Sequence, residues 1–255
     1  MLTNQFKSVC GDVLKLTTYV IHLKRAEDRQ ANVDILCSQL PGVVKVLDAV
    51  DSLQLSTLEI ESAFSQNVHR PHYPFPLRKG EIACFMSNRL AWQSLIESND
   101  EYCLIIEDDV LLDNIDFLNA LELVLGDSDA DSFVRFPIKQ KESVQSIIKV
   151  DDSITHFYPN VVGLGTVMQL VGRNTAKKLL NISQVIDRPI DTFLQMTWIT
   201  GVYPSVVYPS GVTEISSQLG GSTIGSKNSF REMLIRELMR PIYRIKIKFH
   251  SRFYR

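Results

Sequence analysis

The sequence lacks the features that mark several large classes of protein. It has no apolar run long enough to cross a bilayer, and its first twenty residues lack the basic stretch followed by a long apolar stretch of a signal peptide. Its four cysteines stand far apart with no CxxC pair, which disfavours a cysteine metal site and favours reduced, buried thiols. We therefore expect a cytoplasmic protein.

Charge is nearly balanced overall but unevenly placed. The 255 residues carry a net charge of −2, yet residues 231–255 hold eight basic and two acidic side chains. This asymmetry predicts a single domain over residues 1–230 and a basic, amphipathic tail over 231–255. We expect the tail to lie on an anionic membrane surface; the alternative is a helix packed on the domain with a solvated basic face. No nucleic-acid partner is expected.

The first half of the chain reads as an α/β protein. Residues 17–23 are β-branched and apolar and predict a strand, residues 26–40 have helical spacing up to Pro41-Gly42, and residues 43–50 predict a second strand. Such a βαβ unit implies parallel strands joined by a right-handed crossover.

Later segments continue the alternation of helices and strands. Residues 80–98 predict a strong helix and residues 101–110 a third strand, whereas residues 51–80 read as irregular, with a loop at 69–76. We expect the core face of the helix to hold Ile82, Phe85, Leu90, Leu95 and Ile96. Further strands or helices are predicted at 115–126, 132–138, 165–172, 174–180, 188–199 and 202–212. The C-terminal half is expected to be irregular.

Three adjacent acids follow the apolar run of the third strand, in the stretch CLIIEDDVLL. Ligands of open α/β sheets bind beyond the carboxyl ends of the strands, where Glu107, Asp108 and Asp109 would lie. A divalent cation would compensate their charge, and hard oxygen ligands favour Mg²⁺ or Mn²⁺. The alternative is a solvated turn with acids that cap the next helix.

The context of these acids resembles a known family. The stretch YVIHLKRAEDRQANV resembles the opening motif of glycosyltransferase family 25, and LDAVD resembles its next motif. Residues 77–112 are similar to its most specific block, which runs from Gly-Glu-Ile to a strand ending Glu-Asp-Asp. Residues 131–136, 165–180 and 188–194 resemble later blocks.

The resemblance implies both a fold and an activity. The fold would be GT-A-like, a Rossmann-type nucleotide-binding sheet with an acceptor-binding C-terminal half. The activity would be inverting transfer of a hexose, with galactose favoured, from a UDP-sugar to a lipopolysaccharide or lipooligosaccharide, forming a β-linkage. A lipid-linked acceptor would place the protein peripherally on the inner face of the bacterial inner membrane.

The donor site is expected to combine acids and arginines. In the resemblance, Glu107 and Asp109 hold the metal, and Asp108 meets the ribose or the donor sugar. Arg25 and Arg29 suit phosphate oxygens, or else are exposed residues at a helix start.

Other candidates are weighed against ordinary structural roles. Asp48 and Asp51 follow the second strand, and one of them is expected to bond uracil or ribose, with capping as the alternative. Glu81 and Asn88 share a helix face with Cys84 that looks into the donor site, unless Glu81 only caps the helix. Asp191 matches a family acid and is the candidate base for the acceptor hydroxyl, unless it only favours a helix dipole.

Two loops contain further candidate residues. His69 and His72 lie in a proline-rich segment that favours a loop closing over the donor rather than metal ligation. Ser222 and Thr223 match the last family block, which suggests contact with phosphate or acceptor.

Three positions depart from the family pattern. His22 stands where asparagine is usual, Asn88 where histidine is usual, and Gln169 where an aromatic residue is common. The alternative function is therefore a catalytically inactive protein that binds a nucleotide sugar or a glycan on the same fold. A metal-dependent hydrolase is disfavoured because the first strand does not end in an acid.

Overall fold

The computed structural model describes residues 16–217 and 230–253, in which a central sheet is covered by helices on both faces. The strands are β1 (Thr17–His22), β2 (Val43–Asp48), β3 (Tyr102–Glu107), β4 (Val110–Leu112), β5 (Phe133–Arg135), β6 (Val144–Asp151), β7 (Ile154–Pro159), β8 (Met168–Gly172), β9 (Ser205–Tyr208) and β10 (Val212–Glu214). The α-helices are α1 (Gln30–Gln39), α2 (Thr57–Ala63), α3 (Lys79–Glu97), α4 (Asn114–Leu125), α5 (Arg173–Ile182), α6 (Ile190–Leu194), α7 (Thr197–Thr200) and α8 (Phe230–Phe253).

The main sheet has eight strands in the order β2-β1-β3-β8-β5-β9-β7-β6. Strand β1 is parallel to both β2 and β3, which confirms the predicted βαβ unit. The remaining neighbours are antiparallel except for β5 and β9, so the sheet is mixed. Five of its strands come from the second half of the chain, which is therefore more regular than expected. The architecture is α/β and Rossmann-like.

Strand β3 lies at the centre of the protein and is buried on both faces. Leu104 and Ile106 belong to a core formed with α1 and α4. Cys103 and Ile105 point the other way, into a core formed with α3 and α5. Burying a side chain of this size stabilises the fold by about 1.5–3 kcal/mol. This double burial explains why the strand reads as a continuous apolar run up to its acids.

Helix α3 confirms the predicted helix but corrects one position of its core face. Ile82, Phe85 and Leu95 are buried, and Ile96 packs against the same core. Leu90 is 43% exposed, so its placement in the core was wrong. Buried residues on this face of the helix are spaced three or four positions apart, as are Phe85, Asn88, Trp92 and Leu95. Leu90 is five positions after Phe85 and therefore lies on another side of the helix.

Three elements differ from the expectation. Helix α2 lies within the stretch read as irregular and begins at a capping box formed by Ser56 and Glu59. The β6–β7 hairpin occupies a stretch for which no element was predicted. The helix predicted at 188–199 is two short helices, α6 and α7, because Met196 between them leaves the helical backbone conformation (ψ 61°).

Helix α8 contains most of the predicted tail and packs on the domain. Tyr243 and Ile247 are buried in the same core as α3. The Arg188 guanidinium donates a hydrogen bond to the Tyr243 hydroxyl at 2.8 Å. The helix therefore has one docked face, and the division between domain and tail at residue 230 stays a prediction.

Within residues 16–217 and 230–253, no helix is both long and apolar enough to cross a membrane.

Candidate active site

The three acids lie where the first three strands end. Strand β3 ends at Glu107. Asp108 and Asp109 then form a turn, and β4 begins at Val110. In the parallel register, Glu107 is level with Ile21 of β1, and the last residues of β1 and β2, His22 and Asp48, are paired. The carboxyl ends of these strands therefore form one edge, as predicted.

Asp108 is held by protein partners on both carboxylate oxygens. Its Oδ2 lies 2.7 Å from Nδ1 of His22, and its Oδ1 accepts a hydrogen bond of 2.5 Å from Arg29. The Asn32 amide donates to the backbone carbonyls of Asp108 and Val110, both at 2.8 Å. The predicted contact of Asp108 with ribose or sugar stays a prediction, and its observed role is to fix the turn.

The carboxyl groups of Glu107 and Asp109 both have raised pKa values. Burial and the nearby Asp109 raise the pKa of Glu107 to about 7, although Thr166 donates it a hydrogen bond at 3.0 Å. Burial also raises the pKa of Asp109, against the opposing effect of Arg29, whose Nη1 is 3.0 Å from Asp109 Oδ2. Arg29 pairs with Asp108 and Asp109, and among the described residues no ion pair compensates Glu107. The turn therefore keeps local negative charge that a cationic ligand would stabilise.

These acids face a cleft of about 220 Å³. Its walls come from the ends of β1, β2 and β3, from one face of α3, and from the segment after β10. The lining residues are Ile21, Leu23, Arg25, Arg29, Ala49, Val50, Ser52, Gly80, Ala83, Cys84, Ser87, Asn88, Glu107, Asp108, Asp109, Glu214 and Ser216. The structure therefore gathers most of the predicted donor-site residues around one space.

The two arginines of the first motif occupy different environments. Arg29 is buried between Asp108 and Asp109, with 6% of its surface exposed. Arg25 is at the rim of the cleft, where its Nε donates to Asp51 at 2.8 Å. Asp48 forms an exposed ion pair with Lys24 and is not among the lining residues. Arg25 is thus the arginine that a ligand could reach.

Of the two predicted residues on helix α3, Asn88 lines the cleft, whereas Glu81 lies in the first turn of the helix. Asn88 lines the cleft and accepts a hydrogen bond of 2.7 Å from the buried Gln169 amide. Glu81 accepts a hydrogen bond of 2.8 Å from the Arg78 backbone N–H, as a capping residue does. Cys84 also lines the cleft, where burial raises its thiol pKa.

Asp191 lies outside this cleft, in the first turn of α6. Its carboxylate accepts hydrogen bonds from the backbone N–H groups of Gly165 (3.3 Å) and Thr192 (2.7 Å), and from the Thr192 hydroxyl (3.2 Å). It thus joins α6 to the loop before β8. Its role as the base stays a prediction.

The proline-rich loop is attached to the domain rather than to the cleft. The His69 backbone N–H donates to Asp187 at 2.8 Å, and its ring Nδ1 is 3.5 Å from the same carboxylate. His72 is exposed. Ser222 and Thr223 lie outside the described residues.

Several residues of the site were not predicted. Asn32, Ser87 and Thr166 lie within stretches that resemble the family, whereas Glu214 lies in none of them. Ser87 and Glu214 line the cleft, and Asn32 and Thr166 donate hydrogen bonds to Asp108 and Glu107. Ser87 accepts a hydrogen bond from the Val50 backbone N–H at 2.9 Å, which ties α3 to the loop after β2. For Ser87, the spacing of three residues from Cys84 on one helix face was a further signal.

The donor set fits a divalent cation only if the ligand supplies further oxygens. Among the described residues, no three His, Cys, Asp or Glu side chains are grouped so as to hold a metal ion by themselves. Glu107 and Asp109 are hard oxygen ligands, and of the two only Asp109 forms an ion pair among the described residues. Mg²⁺ commonly binds one or two carboxylates together with substrate phosphates. The site suits that shared mode of binding.

The fold and the cleft define a Rossmann-like α/β protein whose ligand site lies at the carboxyl ends of its strands. The sequence model of glycosyltransferase family 25 (LPS biosynthesis protein) matches residues 15–194, and the chain belongs to this family. This confirms the resemblance seen in the sequence.

Curated relatives are found among animal proteins. The chain is 29% identical over 196 residues to procollagen galactosyltransferase 2 of Homo sapiens, an alignment that covers 71% of this chain and 30% of that protein. It is 27% identical over 186 residues to a glycosyltransferase 25 family member of Drosophila melanogaster, covering 70% and 30%. The chain therefore spans about a third of the length of these relatives.

Proposed function

We propose that the protein transfers a hexose, galactose in the first instance, from a UDP-sugar to a hydroxyl group of a lipooligosaccharide or lipopolysaccharide. The observation that carries this proposal is the pair Glu107 and Asp109, which line the cleft with raised pKa values although Arg29 forms an ion pair with Asp109. Such a pair suits the cation that accompanies a sugar diphosphate. Family membership and the galactosyltransferase names of the relatives support the same activity.

The residues of the cleft would have different roles in binding the donor. Arg29 and His22 hold Asp108, so the turn that carries Asp109 is rigid before the donor arrives. Glu107 and Asp109 would hold Mn²⁺ or Mg²⁺, whose chemistry is to neutralise the diphosphate as UDP departs. Arg25 at the rim suits a phosphate oxygen, because its side chain is 43% exposed and a phosphate could replace Asp51 as its partner.

The reaction is proposed to invert the sugar configuration, so an α-linked donor gives a β-linkage. The acceptor hydroxyl attacks the anomeric carbon as the bond to UDP breaks, and a protein carboxylate takes its proton. A lipooligosaccharide acceptor is supported by the family description as an LPS biosynthesis protein. The relatives' names suggest procollagen as a comparison acceptor.

The test is UDP release from UDP-galactose, UDP-glucose and UDP-N-acetylhexosamines, with Mn²⁺ and then with EDTA. We expect one donor to be consumed with the metal alone, and faster when lipooligosaccharide is added. Asp109→Asn should abolish this turnover, whereas Asp116→Asn, a matched change in the exposed first turn of α4, should not alter it. Turnover retained in Asp109→Asn would overturn the assignment of the cleft.

The same assay separates the alternative function. An inactive binding protein would bind UDP in the cleft but consume none of the donors, with either lipooligosaccharide or procollagen present. Binding without turnover in every combination would therefore replace the transferase by a nucleotide-sugar- or glycan-binding protein.

We further propose that helix α8 places the protein on the inner face of the bacterial inner membrane. Its buried side chains, Tyr243, Ile247 and Ser251, recur every four residues on the docked face. Four exposed apolar side chains lie on the opposite side of the helix, given 3.6 residues per turn. They are Leu238 (65% exposed), Ile242 (46%), Ile245 (67%) and Phe249 (53%).

Basic residues border this apolar stripe, as in helices that lie in a membrane interface. Arg244, Lys248 and Arg252 flank one side and Lys246 the other, and all are exposed. Apolar burial and attraction to anionic lipid would then act together.

Vesicle flotation tests the membrane proposal. The full chain should float with phosphatidylglycerol-containing vesicles and less with phosphatidylcholine alone. The double change Ile245→Glu and Phe249→Glu should abolish flotation, whereas Leu58→Glu, at an equally exposed apolar site on α2, should leave it unchanged. Flotation unaffected by the double change would refute the role of α8.

A further inference from the structure

A second cleft adjoins the first and is lined by none of the predicted donor-site residues. Its volume is about 380 Å³, and its walls come from the segment after β5, the loop before β8, and β10. Glu214 lines both clefts, so its carboxylate lies at their junction.

The position of Glu214 is fixed by the backbone around it. In the antiparallel pairing of β10 and β4, Glu214 is opposite Val110, the residue that follows the acids. The next residue, Ile215, donates its N–H to the Asp109 carbonyl at 2.8 Å. The Ser216 hydroxyl donates to Glu214 Oε1 at 2.6 Å. Strand pairing thus places this carboxylate beside the donor acids.

Inverting transfer makes a geometric demand on the base. The acceptor hydroxyl has to approach the anomeric carbon on the side away from the departing UDP. The group that takes its proton has to lie within hydrogen-bond reach of that hydroxyl, at the boundary of donor and acceptor. A carboxylate at the junction of two clefts meets this demand.

Other acids near the second cleft are engaged elsewhere. Glu142 lines it, but its Oε1 is bound to the buried Arg135 guanidinium at 2.6 Å. Asp191 accepts one hydrogen bond from Gly165 in the loop before β8 and two from Thr192 within α6. Among the described residues, Glu214 forms no ion pair with Lys, Arg or His, which leaves its carboxylate available as a proton acceptor.

We propose that the second cleft binds the hydroxyl-bearing acceptor glycan and that Glu214 is the catalytic base. The acceptor oxygen forms a bond to the anomeric carbon, the bond from that carbon to the UDP oxygen breaks, and its electron pair leaves with UDP. The hydroxyl proton passes to Glu214 and then to water. This inference rests on the proposed transferase function and assigns the base to Glu214 rather than to Asp191.

The experiment compares Glu214→Gln, Asp191→Asn and the matched control Glu122→Gln, an exposed glutamate on α4. Transfer from UDP-galactose to lipooligosaccharide with Mn²⁺ is measured beside the Kd of UDP with Mn²⁺. We expect Glu214→Gln to lower kcat by about 10²–10⁴-fold, the usual contribution of a general base. Its Kd for UDP should stay within about twofold, and Glu122→Gln should match the unsubstituted protein.

A second variant tests the acceptor site without touching the base. Leu164 lines the second cleft and is 50% exposed, so Leu164→Trp would narrow the cleft without disturbing the core. It should raise the KM for lipooligosaccharide at least about tenfold, which corresponds to about 1.4 kcal/mol. The KM for UDP-galactose should stay unchanged.

The outcomes separate this inference from the proposed function. Transfer retained by Glu214→Gln, a lost affinity for UDP and Mn²⁺ in that variant, or an unchanged acceptor KM in Leu164→Trp would each overturn the inference alone. Absence of transfer in the unsubstituted protein would overturn the proposed function and this inference with it.

Discussion

Replacing Arg29 with methionine should destabilise the protein severely, because a buried cation is removed from a cluster of acids. The guanidinium lies 2.5 Å from Asp108 and 3.0 Å from Asp109, and the residue is 6% exposed. Burial alone would lower the pKa of Arg29, but the hydrogen bond and charge of Asp108 outweigh it and raise that pKa. Loss of one partner of a buried ion pair costs about 3–5 kcal/mol, a large part of the usual stability of a domain.

The matched change Arg25→Met should cost far less. Arg25 belongs to the same sequence motif, but its side chain is 43% exposed and its pair with Asp51 is screened by water. Exposed pairs of this kind contribute less than about 1 kcal/mol. The losses in free energy of unfolding caused by Arg29→Met and Arg25→Met should thus differ by at least about 2 kcal/mol, although both arginines belong to one motif.

Equilibrium unfolding in urea, followed by tryptophan fluorescence and circular dichroism, measures both losses. The slope of free energy against urea should be unchanged, so that the midpoints report stability. The double variant Arg29→Met with Asp108→Asn should recover part of the loss, because it removes the carboxylate that the arginine compensates. Equal costs for Arg29→Met and Arg25→Met would refute the reasoning, since they would mean that the acids are solvated.

Three further perturbations have defined outcomes. Burial lowers the pKa of His156 to about 4, so the unfolded chain binds a proton at higher pH than the folded protein and stability falls as pH drops from about 7 to 4. Between pH 7 and pH 5, the free energy of unfolding measured in urea should fall by about 2 kcal/mol less in His156→Gln than in the unsubstituted protein. Gly211 has φ +67°, and a Cβ there would lie 2.3 Å from a backbone nitrogen of α4, so Gly211→Ala should lower stability by more than about 1 kcal/mol. Gly201→Ala, also at positive φ but with open space, should lower the thermal midpoint less. Tyr243→Phe removes the hydroxyl that accepts a hydrogen bond from Nη1 of the buried Arg188 and should cost about 1–3 kcal/mol in the same urea assay.

The first half of the fold follows from local sequence because its signals are local. Strands β1 and β3 are apolar runs buried on both faces, and α3 has the spacing of a helix with one buried face. The acids after β3 could be placed at the edge of the sheet because the ends of parallel strands meet there. Periodicity and the chirality of the crossover were sufficient for these elements.

The rest depends on contacts between distant residues, which local patterns do not record. Strand β6 is exposed along its whole length, so no alternation of buried and exposed positions marks it. Glu214 reaches the cleft only because β10 pairs with β4, about a hundred residues earlier. The separate roles of Asp108 and Asp109 follow from a turn after Glu107, whereas the sequence predicted a strand that continued through them.

The three departures from the family pattern are explained by their partners in the fold. His22 is bound to Asp108, so the unusual residue at the end of β1 supports the acid that fixes the turn. Asn88 and Gln169 are 81 positions apart and bind each other at 2.7 Å, so the two departures on α3 and β8 form one pair. This hydrogen bond therefore fixes the Asn88 amide on the wall of the proposed donor cleft, with the buried Gln169 behind it.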